Sequence, residues 1–353
     1  MKIVKRLTIL ALAFLSVLGT IGDRVFADDS SQIPFQITAN IPENQVDTSK
    51  NASYLDLLVN PGTNQDVTFN VSNSSNTEQH FILDASDATT SNGLSIDYGK
   101  ATNKLIKSPR LSEMVSPEDA SKKLTLAPNS TQQVSLKLNY PATQFDGVVL
   151  GGVTLYKDPD YEKTKKSESQ VSIQNIYKYA LAIQLRSNLT SQVKPEFNFI
   201  DVKQTVDNSM PVLKTTIQNP KPAYISQLST HVSVKNSKGE LLEESSSNMG
   251  QVAPISEFDI VTSLKKGSLK PGEYDIEGSA KSERTGDEWH WNKKLVITDD
   301  NYKDTDKQDV TKAPFVMPWG TIIIILLLLI ILILFFLLWK RRKDDEDDEE
   351  KND

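Results

Sequence analysis

The chain of 353 residues contains no cysteine. Disulfide bonds, thiolate ligands for zinc or iron–sulfur clusters, and a catalytic thiol are therefore all excluded. Its stability must come from packed apolar cores rather than from covalent cross-links.

Histidine is scarce, and the common catalytic motifs are missing. His80, His231 and His290 are the three histidines, and none has the spacing of an HExxH zinc motif. GxSxG, P-loop and GxGxxG patterns do not occur. Carboxylates are numerous, but a glycosidase needs a deep cleft that holds two of them at a set separation, and short polar loops do not build one. We therefore predict a protein without enzymatic activity, metal ion or cofactor.

Basic residues are not in excess, since the net charge is −7. Binding to nucleic acid needs a basic surface, so nucleic acid is not expected as a partner. Hydrophobic residues make up 38% and charged residues 24% of the chain, which argues for folded domains rather than disorder. The length suggests about two domains of roughly 150 residues.

The glycine-rich run GVVLGG at residues 147–152 is not a phosphate-binding loop by its context, because apolar strand residues surround it. It predicts a bulge or a close contact within a sheet.

The N-terminus has the pattern of a signal peptide over residues 1–27. Lys2, Lys5 and Arg6 precede an apolar stretch at residues 7–21, and Val25 and Ala27 place small residues at the −3 and −1 positions of a cleavage site. Cleavage after Ala27 is expected, and an uncleaved anchor helix is the alternative.

The C-terminus predicts a transmembrane helix over residues 319–339. Residues 322–339 carry no charged, hydroxyl or amide side chain and would span about 27 Å as a helix. The cluster that follows indicates a cytoplasmic tail at residues 340–353 by the positive-inside rule; it consists of Lys340, Arg341, Arg342 and Lys343. No LPxTG-like sortase motif precedes the helix, so a single-pass type I protein of the cell membrane is expected, with its main part facing the cell wall.

Between these ends the sequence predicts an all-β protein. Apolar residues alternate with polar ones in many short runs, and turn dipeptides separate the runs. Two such runs are Val67, Phe69 and Val71, and Val134, Leu136 and Leu138. This pattern is typical of Ig-like β-sandwiches, and two in tandem are expected at residues 32–157 and 165–300.

One short helix is expected within residues 112–123, and a flexible stalk at 301–318. Residues 171–187 fit either the end of the first sandwich or the start of the second.

Six segments in order resemble the WxL-interacting proteins of Gram-positive bacteria. The first two are YLDLLVNPGTNQDVTFNVSN at residues 54–73 and FDGVVLGGVTL at 145–155. The others are IYKYALAIQLR at 176–186, NMGQVAPISEF at 248–258, LKPGEYDI at 269–276 and WHWNKKLVI at 289–297. The resemblance covers nearly the whole chain.

The resemblance implies a peptidoglycan-binding first domain. It implies a second domain that binds partner proteins, including WxL-domain surface proteins and host extracellular-matrix proteins. The chain itself contains no Trp-x-Leu motif, so it resembles the membrane-held partner of WxL proteins.

Two groups of residues are candidates for binding. Polar and aromatic side chains around a Pro-Gly turn have the chemistry of a glycan site; they are Tyr54, Asp56, Asn60 and Asn64. A loop with an adaptable methionine is a candidate for partner binding; it contains Asn248, Met249 and Pro254. The structural alternatives are strand core with a turn for the first group, and a crossover packed on the core for the second. Sheet edges offer a further binding mode.

These observations favour a scaffold that binds peptidoglycan with its first domain and a WxL protein with its second, and so tethers a surface complex to the membrane. The alternative is an adhesin whose second domain binds host matrix or plant polymer directly. A wall hydrolase is the third and least favoured hypothesis.

Overall fold

A computed structural model describes residues 33–99, 107–164, 176–309, 323–324 and 326–337. These residues form two compact units. The first contains the described residues up to 198 together with 218–226 and 250–258, and the second contains 199–217, 227–249 and the described residues from 259 onward.

Two sheets and a small ribbon form the first unit. Its strands are β1 (Phe35–Asn40), β2 (Leu55–Leu58), β3 (Asn64–Asn73), β4 (Gln79–Asp87), β5 (Thr89–Thr90), β6 (Ile96–Asp97), β7 (Ser121–Leu126), β8 (Ser130–Asn139), β9 (Val149–Lys157) and β10 (Lys178–Arg186). The sheet orders are β1-β3-β8 and β2-β10-β9-β4-β7, and β5 pairs with β6.

The alternating residues of β3 and β8 fill the core of this unit, as the sequence predicts. Val67, Phe69 and Val71 are buried on β3, while the polar residues between them are less buried. Phe69 lies in the same cluster as Leu155 and Ile183 of the other sheet. The two sheets therefore enclose one apolar core, as in a sandwich.

Strand β10 belongs to the first sandwich. It runs antiparallel to β9 and parallel to β2, with Ile183 opposite Gly151 on one side and Leu55 on the other. Its buried face, with Leu181 and Leu185, completes the core. The expected second range, 165–300, therefore includes a strand that pairs in the first sandwich.

The glycines of β9 lie where the sheet leaves no room for a side chain. A Cβ on Gly151 would lie 2.5 Å from the Ser86 carbonyl oxygen, and one on Gly152 would lie 2.6 Å from the Leu181 carbonyl oxygen. The predicted close contact within the sheet is thus observed.

Seven further strands build the second sandwich. They are β11 (Asn198–Asp207), β12 (Met210–Asn219), β13 (Ile225–Asn236), β14 (Leu241–Val252), β15 (Ser256–Ser263), β16 (Gly272–Ser282) and β17 (Glu288–Ile297). The sheet orders are β11-β12-β15 and β14-β13-β16-β17. Val232, Val234 and Ile276 are buried on the inner face of the larger sheet. The chain is an all-β protein with two Ig-like sandwiches, in agreement with the prediction.

The helix expected within residues 112–123 is shorter than predicted. Helix α1 spans Leu111–Met114, a 3₁₀ turn spans Pro117–Asp119, and β7 begins at Ser121. Pro117 has no N–H to donate to an α-helix, so the α1 helix cannot continue through this point. A second short helix, α2 (Pro159–Thr164), follows β9, and another 3₁₀ turn spans Asp47–Ser49.

Residues 301–308 of the predicted flexible stalk lie in a helix, α3 (Asp299–Gln308). The Thr298 hydroxyl accepts a hydrogen bond from the Asn301 N–H at 3.2 Å, and Asp299 and Asp300 occupy the first turn, where acidic groups favour a helix. Thr305 is buried. Polar composition alone therefore gave the wrong prediction for these residues.

The terminal predictions lie mostly outside the described residues. This applies to the signal peptide with Ala27, to the basic cluster at residues 340–343, and to both ends of the predicted membrane helix. Residues 326–337 are helical, and their side chains are all apolar and exposed. Within the part of the chain that the structure describes, no helix has both the length and the apolar character needed to cross a membrane.

Candidate functional site

Asp56, one of the predicted glycan residues, is a buried structural group. Its side chain accepts hydrogen bonds from Ser49 Oγ at 2.8 Å and from Arg186 Nε at 3.0 Å, and its N–H donates to Gln45 Oε1 at 3.0 Å. Asp56 is 2% exposed. The carboxylate therefore joins β2 to β10. Tyr54, by contrast, is 37% exposed and lies just before β2.

Asn60 and Asn64 are exposed and lie at a turn that packs against residues 141–142. The Gly62 N–H donates to the Pro141 carbonyl at 2.8 Å, and the Tyr140 N–H donates to the Thr63 carbonyl at 2.9 Å. Asn64 of β3 is directly opposite Asn139 of β8. Paired side chains of neighbouring strands lie on the same face, so these two amides are neighbours.

Asn139 opens onto a groove of about 450 Å³ in the first unit. Pockets that bind small ligands commonly measure about 300–1,000 Å³. The groove is lined by Ser108, Pro109, Glu113, Met114, Asn139, Pro141, Thr143, Gln144 and Phe145. The chain segments that form it are separated in sequence, which is why no local pattern predicted it.

Hydrogen bonds fix several of the groove's polar side chains. Ser108 Oγ donates to Glu113 Oε1 at 2.6 Å, and Arg110 Nη2 donates to the same oxygen at 2.8 Å. The bond from Ser108, together with the contacts from Arg110, holds the pKa of Glu113 below its usual value. Asn139 Nδ2 donates to Ser116 Oγ at 3.1 Å. The groove thus presents an ionised carboxylate that is paired with Arg110, and an amide that is held by a hydrogen bond.

Of the predicted partner-binding residues in the second half of the chain, Asn248 and Met249 are exposed. Met249 is 68% exposed and has a φ of +60°, and Asn248 lines a cavity of about 320 Å³ that also contacts His231 and His290. Pro254 is buried within the first unit, as expected if this residue packs on the core.

The outer face of the sheet β14-β13-β16-β17 carries a row of polar side chains. His231, Ser279 and His290 are in register across β13, β16 and β17 and therefore share this face. They line both the cavity beside Asn248 and a neighbouring one of about 450 Å³. Sequence reasoning treated the histidines singly and missed this row, because strand register is set by non-local pairing.

Charged pairs flank the histidine row on the same sheet. Lys235 Nζ lies 2.6 Å from Glu277 Oε2, and Lys281 Nζ lies 3.1 Å from Glu288 Oε1. The Glu288 contact is the main cause that raises the pKa of Lys281. Among the described residues no three His, Asp or Glu side chains form a potential metal site. A face of paired charges, imidazoles and hydroxyls resembles the polar rim of a protein interface rather than its apolar core.

Two family models match the chain. The model described as "WxL Interacting Protein, peptidoglycan binding domain" matches residues 35–157, and the one described as "WxL Interacting Protein, host binding domain" matches residues 168–307. No curated protein sequence matches the chain.

Several solved structures are similar at low identity. The CupB2 chaperone of Pseudomonas aeruginosa is 18% identical, with 65% of this chain and 93% of that chain covered and a TM-score of 0.24. The E. coli chaperone DraB is 13% identical, with coverage of 74% and 99% and a TM-score of 0.26. A PapD-like domain of human CEP192 is 14% identical, with coverage of 44% and 85% and a TM-score of 0.24. Because these TM-scores are low, the fold assignment depends on the sheets described above.

Proposed function

The chain belongs to the family of WxL-interacting proteins, and on that premise we propose that it is a non-enzymatic scaffold of the cell surface. It binds peptidoglycan through the first sandwich and a WxL-domain protein through the second. The observation that carries this proposal is the order of the two matches, with a peptidoglycan-binding domain at residues 35–157 and a host-binding domain at 168–307. Two binding domains on one chain can join two ligands without any chemical step.

The partner surface that we propose is the outer face of the sheet β14-β13-β16-β17, together with Asn248 and Met249 of its edge strand β14. It combines exposed polar groups with a flexible apolar side chain, which suits contact with a protein surface. For peptidoglycan, the exposed residues Tyr54, Asn60 and Asn64 remain candidates, while Asp56 supports the fold.

The location that follows from this proposal is the cell membrane, with the sandwiches facing the wall. It is supported by the signal-peptide pattern that ends at Ala27, the apolar residues 322–339 and the basic cluster at 340–343. A scaffold held in this way would keep its partner close to the membrane.

Binding experiments with the full chain in detergent micelles test the proposal. The chain should sediment with purified peptidoglycan, and an affinity tag on it should capture a protein with a WxL domain from the native cell envelope. A chain that does neither would rule the proposal out. A lysozyme-digested wall sample and a tag-only resin serve as controls.

The alternative function is that of an adhesin, and the description of the second domain as host binding favours it. Labelling of intact cells with an antibody against the sandwiches separates the two. An adhesin must be labelled without wall digestion because it has to reach outside the wall, whereas a scaffold within the wall becomes labelled only after digestion.

A further inference from the structure

A groove at one end of the first sandwich has features of a carbohydrate site that the sequence did not reveal. Its lining includes the segment 143–145, which follows β8 and the Pro141 turn. Phe145 is half-buried and packs against the core of the sandwich. Phe145 is also one of the residues that line the groove, and an aromatic side chain offers a flat apolar face.

The backbone at Phe145 is held in place from both sides. The Phe145 N–H donates to Ser187 Oγ at 2.7 Å, and Ser187 Oγ donates to the Phe145 carbonyl at 2.6 Å. Ser187 follows β10, which lies inside the larger sheet. The backbone that carries the aromatic side chain is therefore preorganised, and a ligand does not have to order this segment on binding.

Free polar groups stand next to Phe145 in the groove lining. Thr143 and Gln144 are exposed, and within the described residues their side chains make no hydrogen bond. A glutamine amide supplies two donors and one acceptor, and a threonine hydroxyl supplies one more donor. Asn139 and its cross-strand neighbour Asn64 extend this polar edge along the outer face of β3 and β8.

The charge of the groove favours a neutral ligand. Glu113 is the carboxylate in its lining, and it is already paired with Arg110 and Ser108. An oligopeptide with free charged ends would gain little from such a lining, whereas the hydroxyl and acetamido groups of an amino-sugar chain match amides, a hydroxyl and an aromatic face.

We infer that the groove bounded by Asn139, Gln144 and Phe145 is the site at which the first sandwich binds the N-acetylated glycan strand of peptidoglycan. This inference rests on the proposed function and deepens it, because it assigns peptidoglycan binding to the sugar chain rather than to the stem peptide. Asn64 lies opposite Asn139 at the edge of the groove, whereas Tyr54 is not among the residues that line it.

The test uses the full chain in detergent micelles with two soluble probes and purified peptidoglycan. The glycan probe is the tetrasaccharide of N-acetylglucosamine, and the peptide probe is a stem peptide ending in D-alanyl-D-alanine. The variants are Gln144→Ala, which removes an exposed amide, and Phe145→Leu, which keeps an apolar side chain but removes the aromatic face. Gln132→Ala is the control, because Gln132 is an exposed glutamine of the same unit on β8, outside the groove.

The wild-type chain and Gln132→Ala should bind the tetrasaccharide and peptidoglycan equally well. Each groove variant should weaken both interactions by about three- to tenfold, the effect expected for the loss of one or two polar or stacking contacts. If Phe145→Leu fails to fold, Gln144→Ala alone decides.

The outcomes separate this inference from the proposed function. Retained peptidoglycan sedimentation with unchanged affinities in both variants would overturn the groove and leave the function intact. Binding to the stem peptide but not to the tetrasaccharide would overturn the glycan assignment. Failure of the wild-type chain to sediment with peptidoglycan would overturn the proposed function itself.

Discussion

Arg186 donates a hydrogen bond from Nε to Asp56 Oδ1 at 3.0 Å and so joins two parallel strands that lie 130 residues apart in the chain. Asp56 is nearly inaccessible to solvent. This pair connects β10 to β2 at the edge of the larger sheet of the first sandwich. The ion pair therefore stabilises the point at which the chain leaves that sandwich.

Replacement of Asp56 by Ala should destabilise the first sandwich by about 1–3 kcal/mol, since it removes the acceptor of the Arg186 and Ser49 side chains while Arg186 stays partly solvated. Urea-induced unfolding of the purified chain measures this loss. Asp66→Asn is the control, because Asp66 is exposed on β3 and its replacement should change the free energy of unfolding by less than about 0.5 kcal/mol. Equal effects of the two substitutions would mean that the Asp56–Arg186 pair does not hold the sheet.

Gly147 is required by its surroundings as well as by its backbone conformation. It has a φ of +77°, and a Cβ at this position would lie 2.1 Å from the Pro222 carbonyl oxygen in the same unit. Gly62 has a similar φ of +74°, but its Cβ would lie at an ordinary 3.8 Å from Ala142 Cα.

These two glycines form a matched pair for unfolding experiments. Gly62→Ala should cost about 1–2 kcal/mol from backbone strain alone. Gly147→Ala should cost about 1–3 kcal/mol more, because Pro222 must move. If both substitutions cost the same, the segment 218–226 does not pack against Gly147 in solution.

Asp119 links stability to pH. Partial burial raises its pKa, but hydrogen bonds from Lys122 Nζ and from the Lys137 N–H, both at 2.6 Å, outweigh this effect and hold the pKa below the ordinary value. A carboxyl with a lowered folded-state pKa stabilises the fold above its unfolded pKa of about 3.9, and this contribution disappears as the pH falls through the lower, folded-state pKa.

Asp119→Asn should therefore reduce the free energy of unfolding at pH 6 and have progressively less effect below about pH 4. Urea unfolding of the wild-type and variant chains from pH 6 to pH 2 measures this difference. A difference that stays constant over the whole range would contradict the pKa shift.

The sequence predicted local features of this protein well and non-local ones poorly. Alternation identified β3 and β8, because burial of every second residue is a property of a single strand. The membership of β10 depended on pairing with β2, far away in the chain, and no pattern in residues 171–187 encodes that choice.

The candidate sites show the same division. Asn60 and Asn64 were recognisable as exposed turn residues, but Asp56, in the same segment, is buried because Arg186 reaches it from β10. The groove at Phe145 depends on the meeting of residues 108–114 with 139–145, which the sequence does not reveal. Helix α3 was not predicted. Its cap is a short-range signal, but the polar composition of these residues was interpreted as a flexible stalk.

The cap of α3 can be tested directly. Thr298→Ala removes the acceptor of the Asn301 N–H and should lower the local stability of the helix by about 1 kcal/mol. Amide hydrogen exchange across residues 302–308 should accelerate several-fold. Lys303→Ala, an exposed substitution in the same helix, should leave exchange unchanged or slow it, since alanine is the better helix former. Equal exchange rates in both variants would show that the cap does not stabilise α3.

The most direct test of the central claim is a three-component sedimentation experiment. A purified WxL-domain surface protein is mixed with peptidoglycan, with and without the full chain in micelles. The salt concentration is chosen so that the WxL protein does not bind peptidoglycan by itself. The scaffold account predicts that the WxL protein sediments only when the full chain is present, because one chain binds both ligands at once. Sedimentation of the chain with the WxL protein left in solution would contradict it.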